Sequence, residues 1–507
     1  MKLSFVALAL WLSANGGLAS TVQPRRTSSL LVRPAGFDEL PTASAVRAST
    51  ASTGLDFNNV QSFVMVGMQK QREALLFFEI KNAKKFKSKL GTDIHGRITS
   101  AIQILDVETQ PLAGVNIAFS QKGLNVLGIK DDLKDPHFKA GQMKDAASFG
   151  DGTKNWVPAF AGPTIHGVFT IASDKQEHVD NEINELFKIL GDSVKEVHRV
   201  RSKARPGDQL GHEHFGWIDG IAQPVVKGFR PPNPGQAELQ PGVILLGQDG
   251  DLTKRPAWTK SGSFLVFRQL KQYVPEFRRF LLDQAPVVPG MSQADSANYL
   301  GSRMVGRWPS GAPVDLSPHH EDTALGADPK RLNNFTFAHP ELGNSFNQAT
   351  NQTFCPFSAH ILKSRPRLAI DAQEDLRHHI ARAGLPYGDE VTASEQSTET
   401  TSEDPALERG MAFVAYQSNI GDGFVHMQID MVNSPSFPTG RNDPGSDPIV
   451  GYLQTDGKTQ NTPRPIKGLD FTDWNRTITM KTDFIVSRGG EYFFTPPISA
   501  LITPLSK

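Results

Sequence analysis

The chain has a single cysteine, Cys355, among its 507 residues. One cysteine excludes any internal disulfide bond, so the fold must depend on a large apolar core. The sequence also lacks an excess of charge of either sign, because 53 Lys and Arg residues balance 53 Asp and Glu residues. A balanced chain carries no broad basic surface, which argues against a nucleic-acid partner.

Long apolar runs are also missing. The longest candidate, Leu3–Leu12, is too short to span a bilayer, and with Lys2 before it and small residues after it, Met1–Ser20 has the pattern of a secretory signal. Residues 21–54 are rich in Ser, Thr, Ala and Arg, a composition typical of a disordered pro-segment or linker. We therefore expect a secreted, extracellular protein with no membrane span.

The sequence has neither a Gly-rich phosphate loop nor a GxSxG motif, so a Rossmann sheet and a serine hydrolase are unsupported. Strand-like and helix-like segments alternate, which predicts an α+β fold with antiparallel sheets. The predicted strands are Val115–Phe119, Thr164–Ser173, Gly262–Leu270 and Gly410–Gln417, and the predicted helices are Ile94–Val107, Val179–Leu190 and Val274–Leu282.

The second half of the chain repeats the style of the first half. We predict an N-terminal domain at residues 55–235 and a C-terminal domain at residues 236–507. The polar, low-complexity stretch 390–404 is predicted to be a solvated loop.

One carboxylate stands out in the stretch FGWIDGIAQP, residues 215–224. Asp219 lies between Gly216 and Gly220, which allow a tight turn and the close approach of another group. An ordinary β-turn capped by its own Asp explains this pattern. A catalytic acid or base is the alternative interpretation, and it requires partners elsewhere in the chain.

His360 ends the stretch FCPFSAH and is followed by Lys363, Arg365 and Arg367. A single His on a semi-apolar helix is commonly a core residue. However, basic residues just beyond a ligand helix suit the propionates of a haem, whose iron needs an axial ligand. Cys355 is an alternative thiolate ligand, although packing is the simpler role for it.

Arg409 precedes the predicted strand Gly410–Gln417. It could pair with Glu408 or with a carboxylate of a loop, or it could be a fixed cation near Asp219. The remaining clustered histidines lack the spacing of a zinc site, so we interpret them as surface or turn residues, with His212 and His214 close enough to Asp219 to line a channel. These clusters are His212 with His214, His319 with His320, and His378 with His379.

Five ordered blocks resemble the fungal dye-decolourising peroxidases, a family of haem enzymes. They extend from about Leu55 to Leu501, nearly the whole mature chain. The blocks are NVQ with GMQK at 59–70, GWIDG at 216–220, FCPFSAH at 354–360, ERGMAFVAYQ at 408–417 and SRGGEYFFTPPISAL at 487–501.

The resemblance implies two ferredoxin-like α+β domains and one haem b per chain, held mainly by the C-terminal domain. His360 would be the axial ligand of the iron, with Arg365 near the haem carboxylates. An acidic group on the second ring nitrogen of this histidine would increase its basicity. We expect Asp483 to be that group, with Asp447 as the alternative.

The resemblance also implies a peroxidase that reduces hydrogen peroxide and oxidises bulky dyes and phenolic or lignin-related compounds through a ferryl-radical intermediate. Asp219 would move the peroxide proton, and Arg409 would stabilise the developing charge. The reference pKa of Asp, about 3.9, further suggests an acidic optimum for dye oxidation.

Other functions stay open at this point. They are a secreted haem-binding protein without peroxidase activity, a related enzyme acting on chlorite or porphyrins, and a non-haem hydrolase using Asp219 and His360. Three sequons, at Asn334, Asn351 and Asn475, suggest a glycoprotein. The sequence identifies neither the natural reductant nor the oligomeric state.

Overall fold

The computed structural model describes residues 28–367, 371–452 and 463–507. The predicted signal, residues 1–20, and the start of the predicted pro-segment lie outside these ranges. Within the described ranges, every helix is too short or too polar to cross a membrane.

A nine-stranded antiparallel sheet forms the centre of the molecule. Its order is β7-β13-β2-β3-β1-β4-β9-β10-β8, and an additional pairing of β7 with β10 closes the sheet into a barrel. Its strands are β1 Arg72–Ile80, β2 Gly114–Phe119, β3 Gly167–Ser173, β4 Val194–Lys203, β7 Ser263–Gln272, β8 Ala381–Arg382, β9 Leu385–Tyr387, β10 Gly410–Gln417 and β13 Ile485–Thr495. Two short two-stranded sheets pair β5 Val225–Val226 with β6 Glu238–Leu239, and β11 Arg464–Ile466 with β12 Ile478–Met480.

Both faces of the barrel wall are apolar, as β1 illustrates. Leu76 and Phe78 of this strand pack into one core, whereas Leu75 and Phe77 pack into another. Side chains alternate between the two faces of a strand, so a continuous apolar run such as ALLFF fills two cores at once. The large apolar core that a chain without disulfide bonds needs is therefore divided by the sheet into two parts.

Strands from both halves of the chain join in this one barrel. β13 of the second half pairs with β2 at Phe494 and Phe119, and β4 of the first half pairs with β9 at Ser202 and Tyr387. The predicted α+β class with antiparallel sheets is confirmed. The boundaries predicted for the two domains stay a prediction.

Helices cover the outside of the barrel. They are α1 Ala43–Thr53, α2 Phe63–Val66, α3 Ala83–Lys89, α4 Gln121–Val126, α5 Pro136–Ala140, α6 Gln142–Phe149, α7 Pro158–Ala161, α8 Gln176–Leu190, α9 Val274–Gln284, α10 Gln293–Val305, α11 Thr323–Gly326, α12 His360–Ser364, α13 Ala372–Arg377, α14 Ala393–Thr398 and α15 Ile498–Ile502. Residues 421–425 and 427–432 form π-helical turns beside the barrel.

The prediction of a helix at Ile94–Val107 is wrong. The segment contains short 3-10 turns, and its backbone bonds outward: Thr99 N–H donates to Val115 O and Ala101 N–H donates to Val60 O, each at 2.9 Å. Tertiary hydrogen bonds thus replace the local helical ones that the apolar spacing suggested.

The expectation of disorder in residues 21–54 is wrong for the part that the structure describes. Residues 28–53 dock on the protein and end in α1. Asp38 accepts hydrogen bonds from Arg230 Nη2 and Asn233 Nδ2, each at 2.7 Å, and Phe37 is buried. Whether this segment is removed on maturation stays a prediction.

Candidate active site

A large cavity lies beside the barrel, with about 1850 Å³ of space including the part open to solvent. Most of its lining is apolar, with a few charged groups that face inward. Apolar residues of its wall include Leu270, Met411, Phe413, Met431, Ile449 and Ile485. Such a cavity suits a large, flat, apolar group that is fixed by a small number of polar contacts.

Asp219 reaches this cavity on the turn that the sequence singled out. The turn is held by Glu213, whose carboxylate accepts the backbone N–H groups of Phe215 at 2.9 Å and Trp217 at 3.0 Å. Gly220 has a φ of 97°, which a residue with a Cβ would adopt only under strain. Burial raises the pKa of Glu213, and its hydrogen bonds oppose that rise. The glycine and the buried carboxylate together fix where Asp219 points.

Arg382 is the cation that meets Asp219. Its Nη1 donates to Asp219 Oδ1, and each of the two side chains keeps 26% of its surface exposed in the cavity. The sequence interpretation missed Arg382. It lies in the stretch IARAG, which carries no recognisable motif. Only the folding of β8 beside the Asp219 turn brings it to the site.

The proposed position of Arg409 in the site is wrong. Arg409 is fully buried and lies outside the cavity wall, where Nη1 and Nη2 donate to the two carboxylate oxygens of Glu395, each at 2.8 Å. Its Nε donates to Asp389 O at 2.8 Å. The Nε, Nη1 and Nη2 atoms of the guanidinium therefore all bond to partners inside the protein, away from the cavity wall.

Glu395 also corrects the interpretation of residues 390–404 as a solvated loop. Part of this stretch is the helix α14, which begins with a capping box between Thr392 and Glu395. Burial opposes ionisation of Glu395, but hydrogen bonds from Arg409 and the backbone of Ser402 outweigh it and lower its pKa to about 2. The inserted polar segment thus folds over Arg409 and seals it.

His360 begins α12 and faces the same cavity. Its Nδ1 donates to Asp447 Oδ2 at 2.6 Å, and Asp447 is itself fully buried. Burial disfavours the charged imidazole, but Asp447 more than compensates and raises the pKa of His360. With Nδ1 occupied, Nε2 is the ring nitrogen that can bind a metal. The charges of Arg382 and Asp219 also act on this imidazole, so the three groups share one space.

The expected contact of His360 with Asp483 is wrong. Asp483 Oδ1 pairs instead with Arg464 Nη2 at 2.9 Å, and both side chains are buried. Asp447, the alternative from the sequence, occupies the position beside the histidine. The two carboxylates are indistinguishable in the sequence because each follows a short polar loop, and the fold decides between them.

A basic wall closes one end of the cavity. Arg307, Arg365 and Arg367 line it, and Arg365 Nε lies 3.8 Å from Asp375 Oδ2. Burial lowers the pKa of Arg307 to about 9. Arg307 Nη1 donates to Gly311 O and Arg367 Nη1 donates to Asn333 O, each at 2.9 Å. Arg365 Nε, by contrast, is buried and has no hydrogen-bond partner among the residues that the structure describes. Arg365 is therefore the guanidinium group of this wall with a donor left for an anionic group.

His378 and His379 also line this cavity and are buried, so their interpretation as surface residues is wrong, although His378 does lie in a turn at the end of α13. Burial lowers the pKa of His379 to about 3, and the charge of Arg365 adds to that effect. His379 Nε2 is buried and has no hydrogen-bond partner. The Nε2 of the buried His214, by contrast, has a hydrogen-bond partner, Tyr387 O, at 2.9 Å.

The donor set fits a haem. The cavity offers one imidazole nitrogen for an axial bond, a broad apolar surface for the macrocycle and guanidinium groups for its carboxylates. Cys355 does not fit as a ligand, because it is absent from the cavity wall and burial raises the pKa of its thiol well above the usual value.

Comparisons with known proteins identify the family of this chain. The family model described as the DyP dimeric alpha+beta barrel domain matches residues 59–206. Peroxidase 2 of Mycetinis scorodonius is 50% identical over 494 residues, which are 96% of this chain and 95% of that protein. Dye-decolorizing peroxidase AauDyP1 of Auricularia auricula-judae is 43% identical over 523 residues, 99% of each chain. The crystal structure of a decolorizing peroxidase from Auricularia auricula-judae has a TM-score of 0.83 at 43% identity, covering 89% of this chain and 100% of that chain.

Proposed function

Because this chain belongs to the dye-decolorizing peroxidase family, haem enzymes that act on hydrogen peroxide, we propose that it is a secreted haem b peroxidase of dyes and phenolic or lignin-related compounds. One haem per chain would occupy the main cavity. The observation that carries the proposal is that Asp219 and Arg382 share this cavity with His360, whose Nδ1 is held by the buried Asp447.

His360 would hold the iron through Nε2. Asp447 keeps the proton on Nδ1 and increases the electron density of the imidazole. Arg365 would hold a haem carboxylate, and Arg307 and Arg367 would add positive charge to the same wall of the cavity. When bound, the haem supplies the redox chemistry, since it can give electrons to peroxide and regain them from the reducing substrate.

Asp219 accepts a proton from hydrogen peroxide at a carboxylate oxygen and returns it to the oxygen that leaves as water. Arg382 holds the carboxylate in place through Oδ1. Its positive charge also stabilises negative charge that develops as the peroxide bond breaks. The wall residues Met411, Phe413 and Leu270 exclude water from this step.

Secretion and glycosylation belong to the same proposal. The signal pattern of residues 1–20 supports export. Among the sequons, the side chains of Asn334 and Asn475 are exposed and that of Asn351 is half-buried, so the first two are open to a glycan.

The test is the absorption spectrum of the purified protein before and after one equivalent of hydrogen peroxide. We expect a Soret band that changes on peroxide addition and returns when dye is added. Asp219→Asn should keep the band and slow the peroxide reaction by about 10²–10⁴-fold, because the proton acceptor is lost. Asp208→Asn, at an exposed position, is the matched control and should react like the parent.

The outcomes separate the candidate functions. A Soret band that peroxide leaves unchanged would indicate haem carriage without catalysis. Absence of the band after reconstitution with haem would contradict the proposal as a whole. An Asp219→Asn variant that reacts at the parent rate would remove Asp219 from the mechanism while leaving the haem assignment intact.

A further inference from the structure

Arg382 lies on β8, a two-residue strand that ends the order of the sheet. β8 pairs with β10 on one side, where Ala383 N–H donates to Val414 O at 2.8 Å. Backbone groups of successive residues in a strand point to opposite sides, so the N–H and C=O of Arg382 itself point away from β10. An edge residue of this kind needs another partner for both groups.

Gln223 supplies both partners. Its Nε2 donates to Arg382 O at 2.8 Å, and its Oε1 accepts Arg382 N–H at 3.1 Å. A side-chain amide carries one acceptor and two donors, so it can pair with one residue as a neighbouring strand would. Gln223 lies on the loop that carries Asp219, and its two bonds reach a residue 159 positions away.

We propose that Gln223 is a positioning residue that holds Arg382 against Asp219. The amide fixes the backbone from which the guanidinium extends, and the loop of Asp219 supplies that amide, so one structural unit places both the carboxylate and the cation. The backbone of Gln223 is itself held, because its backbone carbonyl accepts a hydrogen bond from Gln236 Nε2 at 3.3 Å. This inference rests on the proposed function, since it concerns the same pair of residues.

The first test replaces the amide with an apolar side chain of similar size. Gln223→Leu removes both bonds and should slow the reaction with peroxide by about 10–100-fold, since a misplacement of about 1 Å costs about that much. The Soret band should stay, because His360 is untouched. Hydrogen exchange of the Arg382 amide, measured on the protein with and without haem, should become faster in the variant.

A second variant tests the donor. In Gln223→Glu the new carboxylate can accept the N–H of Arg382 but cannot donate to its carbonyl. Protonation restores a donor, so the rate of the variant relative to the parent should rise as the pH falls through about 4.3, the reference pKa of Glu. Other charged groups near this position are Asp219 on the same loop, Arg382 on β8, and Lys70, whose Nζ donates to Ala383 O and which pairs with Glu73. Asp38 is also near, because Gln236 Nε2 donates to both Asp38 Oδ2 and Gln223 O. Dividing by the parent rate removes their own titration.

A control and a double variant separate positioning from general stability. Gln248 is also half-buried, but its Nε2 donates to Ser261 Oγ at 2.7 Å away from the cavity. Gln248→Leu should keep the parent rate. In an Arg382→Leu background, Gln223→Leu should slow the reaction no further, because the cation it positions is gone.

The inference is overturned if Gln223→Leu reacts at the parent rate, if the exchange of the Arg382 amide is unchanged, or if Gln223→Leu has its full effect without Arg382. A parent protein that binds no haem would instead contradict the proposed function. The exchange measurement would still report on the two hydrogen bonds in that case, so the two failures are distinguishable.

Discussion

Two arginine–carboxylate pairs in this protein differ in what surrounds them. Arg382 and Asp219 meet at the cavity, and each side chain keeps 26% of its surface exposed. Arg409 and Glu395 meet inside the protein, with 0% and 4% exposed. The first pair leaves a carboxylate oxygen and guanidinium donors free for a substrate, whereas the second uses its groups on each other.

An arginine close to a strand and an acidic residue is therefore not enough to define a site. A working pair needs one face open to a cavity in which a reactant fits. A sealed pair has a structural effect instead, because removing one member leaves the other charge buried without a partner. Replacing Arg382 should therefore reduce activity, whereas replacing Arg409 should reduce stability.

Of the two arginine replacements, Arg382→Leu should have the larger effect on activity. Removing a group that stabilises developing charge costs about 10²–10³-fold in rate. We expect this loss in the reaction with peroxide, followed by stopped-flow absorption, with little change in the midpoint of urea unfolding. The Arg382–Asp219 pair is partly exposed to solvent and contributes only modestly to stability, so its loss should change the unfolding midpoint little.

Arg409→Leu is the matched control. It should lower the free energy of unfolding by about 3–5 kcal/mol, because Glu395 stays buried without its partner. Whatever fraction folds should react with peroxide at nearly the parent rate per bound haem. A large loss of rate in the folded Arg409→Leu protein, with a fully active Arg382→Leu protein, would reverse the roles that we assign.

Asp447 and Asp483, the two carboxylates considered as partners of His360, allow a similar comparison, with smaller expected effects. Asp447→Asn removes the charge that holds His360 Nδ1 and should reduce haem affinity or peroxide reactivity by about 10–100-fold. Asp483→Asn weakens a buried pair with Arg464, so its effect should be on stability. Haem titration followed by absorption measures the first, and urea unfolding measures the second. An Asp447→Asn variant with the haem affinity and the peroxide reactivity of the parent would contradict the assignment of Asp447.

Much of the fold followed from local pattern. The amphipathic spacing in 179–190 and the apolar run in 410–417 predicted α8 and β10, because both signals are contained within one element. The turn of Asp219 and the placement of His360 on a helix were also found from their own neighbours. Family resemblance then indicated what they do.

The errors share a different origin. Arg382 and Asp447 act through contacts made across 163 and 87 positions of the chain, and nothing in their immediate neighbours records those contacts. Glu395 lies in a polar stretch typical of a solvated loop, yet Arg409 draws it into the interior. Such long-range pairings depend on how the barrel closes, which a local pattern does not specify.

The sealed pair also predicts a pH dependence. The pKa of Glu395 is lowered from 4.5 to about 2, so its ionised form stabilises the folded state. A depressed carboxyl pKa gives a contribution that is fully present above pH 4.5 and is lost as the pH falls towards 2. Glu395→Gln should therefore be less stable than the parent at pH 7, and the difference should shrink between pH 4.5 and 2.

Urea unfolding of the haem-loaded protein at several pH values between 7 and 2 measures this difference. Glu403→Gln, at an exposed position of the same segment, is the control and should follow the parent throughout. A constant difference between Glu395→Gln and the parent over the whole range would mean that the lost stability comes from packing rather than charge. The Asp219–Arg382 pair predicts no such stability change of its own, because solvent already screens it.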